Sequence, residues 1–142
     1  MNKLFKLLLT ISITFALGIC NIARAEVAVI INSGNSATIS DDDIKRIFLG
    51  KMKSFPDGSK VLPVNLKNSS DVRKAFDKKA LGKSASQIKA YWSKLVFSGK
   101  GNLPKEAADD SEAIRLVAEN PAVIAYIDAS NVTASVKVIR KF

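Results

Sequence analysis

"VNLKNSSDVRKAF", residues 64–76, passes from strand to helix across a short polar turn. Val64, Asn65 and Leu66 close the run "KVLPVNL", whose β-branched and apolar residues predict a strand beginning at or beside Pro63. Asn68, Ser69 and Ser70 form the turn, and Val72, Ala75 and Phe76 then recur at helical spacing. Ser69 or Ser70 is placed to cap that helix, because a short side-chain oxygen accepts from a free N–H of the first turn. The same turn offers a second use. First-turn N–H groups and the helix dipole attract anions, and in α/β sheets ligands gather where strand carboxyl ends feed helix starts. Ser69 and Ser70 would supply hydroxyls, and Arg73 or Lys67 positive charge. Asp71 opposes this, since a first-turn carboxylate already complements the dipole and repels a second anion. Arg73 lies where its side chain can reach either the turn or solvent.

On the amino-terminal side, "VAVIIN" (residues 27–32) predicts a buried strand, and "SGNSATIS" a loop. Ser33, Gly34 and Asn35 in that loop are a second set of anion-site candidates at a strand end. Ser40 caps "DDDIKRIFLG", with Asp43 three residues on and Gly50 as the stop. Downstream, Gly82 ends the helix opened by Ser69 or Ser70. Ser84 and Gln87 then form an S-x-x-Q capping box ahead of the stripe Ile88, Tyr91, Trp92, Leu95 and Val96. Asp109 and Glu112 open a fourth helix with inner face Ile114, Val117 and Ala118, and Asn120-Pro121 stops it. "AVIAYI" and "SVKVIRKF" are the last two strands. The order β-α-β-α-α-α-β-β implies crossover connections: a three-layer α/β domain with a mixed, mostly parallel sheet flanked by helices, the final strand pair supplying an antiparallel edge.

The chain begins with Lys3 and Lys6, an apolar run over residues 7–19, and Ala23-Arg24-Ala25. This is the layout of a cleaved secretory signal peptide, with residues 26–142 as the mature domain in the periplasm. A rival reading makes Cys20 a lipidated residue, but Ile19 is a poor fit before such a cysteine. The mature chain then holds no cysteine, and there is no histidine anywhere, which excludes Cys-His and Ser-His catalysis and ordinary zinc sites. Removing Lys3, Lys6 and Arg24 from 22 basic residues against 13 acidic ones leaves a mature charge of +6, favouring anions, anionic membranes or acidic partners. No cofactor motif is present. Ser86 and Lys89 match S-x-x-K, but they sit in the first turns of a well-capped helix and lack the partner motifs. Tyr91 and Trp92 lie among lysines, yet their place on the apolar stripe predicts core packing rather than a nucleic-acid platform.

The stretch from "VAVIINSGNS" through "DDDIKRIFLGKMKSFPDGSKVLPVN", then "SSDVRKAF", "AYWSKLVFSGKGNLP" and "VAENPAVIAYID", resembles the phosphate-type periplasmic substrate-binding proteins of ABC transporters. The resemblance covers nearly all of residues 26–142. It implies a single lobe of a type II periplasmic-binding-protein-like fold, no enzymatic activity, and phosphate or another small oxyanion as ligand. Ser70 stands where that family carries a Ser-Gly-Thr phosphate loop, with Asp71 and Val72 replacing the other two. The family's strand arginine falls near Leu66, Phe55 stands where Trp is common, and Pro121-Ala122 lacks a glycine. Full receptors close two lobes on the anion, so a lone lobe implies weak binding or a second chain, such as a homodimer partner, completing the site. The expected role is a solute-binding or accessory component of phosphate uptake acting with a membrane transporter. Its rival is an envelope interaction module that keeps the lobe but docks a protein or the anionic membrane.

Overall fold

A computed structural model describes residues 25–142; the expected signal segment apart from Ala25, Cys20 included, lies outside the described residues. Nine main elements follow in the order β1 (Val27–Asn32), α1 (Asp41–Phe48), β2 (Leu62–Leu66), α2 (Asp71–Phe76), α3 (Ala85–Phe97), β3 (Lys105–Ala107), α4 (Asp110–Glu119), β4 (Val123–Asp128) and β5 (Val136–Lys141). The starts obey local chemistry. Ser40 accepts from the Asp43 N–H and Asp43 returns the bond, Ser84 and Gln87 do the same for α3, and Asp109 accepts from the Glu112 N–H. α2 runs into one π-helical turn, Asp77–Leu81, before Gly82 adopts a left-handed φ of 66°.

The strands form one sheet in the order β3-β2-β4-β1-β5. β2 pairs in parallel with β3 and β4, while β1 pairs antiparallel with β4 and β5. Four strands therefore point one way and β1 alone runs back. The final two strands do not pair with each other: β1 inserts between them, so β5 is an antiparallel edge on β1 rather than on β4. β3, which carries no apolar alternation, went unforeseen between α3 and α4.

Val27 to Ile31 and Ile124 to Ile127 are fully buried, as strands covered on both faces must be. Tyr126 faces α1 and α2, where Phe76 stacks on it at 3.9 Å between ring centroids and Phe48 meets Phe76 edge-on at 4.8 Å. α4 covers the other face, burying Ala113 and Val117; Ala118, expected inside, is exposed because the stripe turns one residue earlier. α3 leans on the end of α1, burying Ile88 and Trp92 but leaving Val96 46% and Phe97 96% exposed.

Candidate functional site

The carboxyl end of β2 delivers residues 67–70 as a turn closed by the Ser70 N–H on the Lys67 carbonyl at 2.9 Å. Ser70 is the N-cap of α2: its backbone is extended, and its hydroxyl accepts from the Arg73 N–H at 3.2 Å. The Ser70 carbonyl accepts from Lys74, starting the helical ladder. Among the described residues, the N–H groups of Asp71 and Val72 have no protein acceptor, so one capping hydroxyl leaves two first-turn donors facing an exposed rim. Ser69 is exposed there. The Asp71 carboxylate is 94% exposed and lies 3.7 Å from the Lys74 ammonium, directed to solvent rather than over its own helix start.

Arg73 turns inward. Only 6% of it is exposed, and its Nη1 donates to the Leu66 carbonyl at 2.8 Å and to Glu106 Oε1 at 2.9 Å. Its Nε lies 3.8 Å from Asp77 Oδ2 and has no hydrogen-bond acceptor among the described residues. A guanidinium between a strand carbonyl and two carboxylates is a tie joining α2 to β2 and β3, and it is not free to meet an anion on the rim. Burial pushes the Asp77 carboxyl up to about 6, against the pull of Arg73. Beside it, the Tyr126 hydroxyl donates to Asn65 Oδ1 at 2.9 Å and accepts from the Leu66 N–H at 3.2 Å, and burial raises its pKa well above the usual phenol value. The Arg73–Asp77 spacing of four was legible as a helical ion pair. Glu106 was not, because it lies on the unforeseen β3.

Ser33, Gly34 and Asn35 sit elsewhere. Because β1 runs against β2, its carboxyl end lies where β2 and β4 begin, the length of the sheet away from Ser70. That loop is occupied with its own structure. The Gly34 N–H donates to the Asn32 side chain at 2.9 Å, Asn35 accepts from the Ala37 N–H at 2.9 Å, and Asn35 Nδ2 donates to the Pro121 carbonyl at 3.3 Å. The structure thus brings Ser69 and Ser70 together, places Arg73 beneath them, and separates both from residues 33–35. Among the described residues no cluster of three metal-ligating side chains occurs, and no helix is long and apolar enough to cross a membrane.

No family model matches the chain, and no curated protein matches it. Solved structures do. An ABC-type phosphate transport receptor from Vibrio cholerae shares 19% identity at a TM-score of 0.64, over 82% of this chain and 46% of that one. A protein from Clostridium perfringens, described as a phosphate ABC transporter substrate-binding protein with bound phosphate, shares 21% at 0.64, over 82% and 45%. PstS from Borrelia burgdorferi shares 15% at 0.57, over 81% and 47%. At such identities the likeness establishes the fold: a mixed α/β lobe of the phosphate-type binding-protein architecture. The chain spans less than half the length of each of these structures.

Proposed function

We propose that this chain is an exported, non-catalytic solute-binding or accessory lobe that receives phosphate or a similar small oxyanion at the start of α2. The observation that carries this reading is the pair of Asp71 and Val72 N–H groups, without protein acceptors among the described residues, on an exposed rim where β2 feeds α2. The Ser69 hydroxyl and the Lys67 and Lys74 ammoniums stand nearest in sequence to add polar contact and charge. The fold shared with phosphate receptors supports the same ligand class. Because the rim is open to water and Arg73 is engaged below it, affinity is weak, about millimolar, unless a second chain covers the site.

The capture of Arg73 favours a second reading, an envelope module that keeps the lobe and docks a protein or membrane surface. Thermal melting with phosphate, sulfate and chloride at constant ionic strength separates the two, since a ligand raises the midpoint once it passes its dissociation constant. The solute-binding reading requires phosphate to exceed chloride, and Asp71→Asn to enlarge the difference. Identical curves in all three salts assign the chain to the docking module.

A further inference from the structure

A cleft of about 1130 Å³ lies between α3, the amino-terminal half of β2 and residues 99–105, slightly above the ~300–1,000 Å³ usual for small-molecule sites. Its origin is topological. β3 has three residues and pairs with β2 only from Val64 onward, so Leu62 and Pro63 have no strand neighbour on that side. α3 fails to fill the gap because its aromatic pair is held against the end of α1. The Tyr91 hydroxyl donates to the Leu49 carbonyl at 2.6 Å, and the Trp92 indole is clasped between two glycines. A Cβ on Gly50, whose φ is +71°, would stand 2.9 Å from the indole, and one on Gly101 3.5 Å. Trp92 is thereby fixed as a wall with open space beside it.

The lining divides by chemistry. Val61, Leu62, Tyr91, Trp92, Leu95 and Leu116 make the walls apolar. Lys51, Lys53, Lys60, Lys100 and Lys105 stand around them, and among the described residues none has a carboxylate within 4 Å. The acid in the lining, Glu119, is already bound to Arg115 at 2.9 Å. A small inorganic ion would leave the apolar walls wet, and a neutral hydrocarbon would leave five cations without a counter-charge. A molecule carrying both features satisfies both. We propose that this cleft is a second ligand site, separate from the α2 rim, that takes a single-chain amphiphile with an anionic head, its tail along Trp92 and its head among the lysines.

Trp92 is the only tryptophan of the chain, so its emission follows binding beside it. Variants at Leu62, Lys53 and Lys60 assign the change to this cleft rather than to the smaller hollow that Trp92 shares with Arg73 and Phe97. The purified protein would be titrated, below micelle formation, with dodecanoate, dodecyl phosphate and dodecyl maltoside, and separately with inorganic phosphate. Dodecanoate and dodecyl phosphate are expected to shift the emission saturably, their ratio telling a carboxylate source from a phosphate one. Inorganic phosphate should leave it unchanged, and the neutral maltoside should bind about tenfold more weakly than either anion. Reversing exposed charge with Lys53→Glu and Lys60→Glu together should weaken the anionic amphiphiles by about tenfold while leaving the maltoside unaffected. Leu62→Glu, on the apolar wall, should weaken all three tails. Equal affinity for maltoside and dodecanoate, or an affinity indifferent to the lysine reversal, would overturn the proposal.

Discussion

The ground beneath the start of α2 and the cleft beside α3 both carry basic side chains, yet they treat charge in opposite ways. Under α2, Arg73 lies between Leu66, Asp77 and Glu106, with Phe76 stacked on Tyr126 next to it. Beside α3, five lysines stand over an apolar hollow without carboxylate partners among the described residues. A net charge of +6 over residues 26–142 therefore says little about where an anion can be met: Arg73, placed within the expected ligand loop, is part of the frame, while a group of five lysines gathers at the cleft beside α3.

Breaking the first region should cost the most. Arg73→Met leaves the buried Asp77 carboxylate without its cation and removes the side-chain donor to the Leu66 carbonyl and Glu106, and is expected to lower unfolding stability by about 3 kcal/mol in urea titrations. A loss below one kcal/mol would mean the guanidinium was free to serve a ligand after all. Gly50→Ala strikes the second region, forcing a left-handed residue to carry a Cβ against Trp92; about 2 kcal/mol should be lost, with the tryptophan emission displaced. Unchanged emission would show that the indole is not clasped there.

Asp77 sharpens the contrast through pH. Its folded pKa of about 6 is above the ordinary 3.8, so the folded state holds the proton more tightly. The stabilisation this confers is complete below about pH 4 and is lost as pH rises through 6. Screening holds the span to about 1–2 kcal/mol. Asp77→Asn should flatten that slope and gain on the parent between pH 5 and pH 8; a constant difference across the range would refute the assignment. Ser70→Ala has the smallest effect, about 1 kcal/mol for loss of the cap, because Arg73 continues to tie the helix down.

What was legible in the sequence was whatever local chemistry decides. Ser40 with Asp43, Ser84 with Gln87, Asp109, and the stops at Gly50, Gly82 and Pro121 placed the helices, and the apolar runs placed four of the five strands. Pairing was less visible. Nothing in "VAVIIN" states that it runs against its neighbours, and that reversal is what parts Ser33, Gly34 and Asn35 from Ser70. "KEA" becomes a strand only because β2 offers it an edge, and it brings Glu106 to Arg73. The direction of Arg73 followed from that tertiary partner, which no helical periodicity encodes. The cleft beside Trp92 is likewise a consequence of a strand too short to cover its neighbour.

The amide resonances of the protein, followed through a phosphate titration at constant ionic strength, test the proposed function most directly. Saturable shifts centred on Asp71 and Val72, absent with chloride and leaving the Trp92 indole N–H still, are the predicted result. Silent amides at the head of α2, or shifts confined to residues lining the cleft, would contradict it.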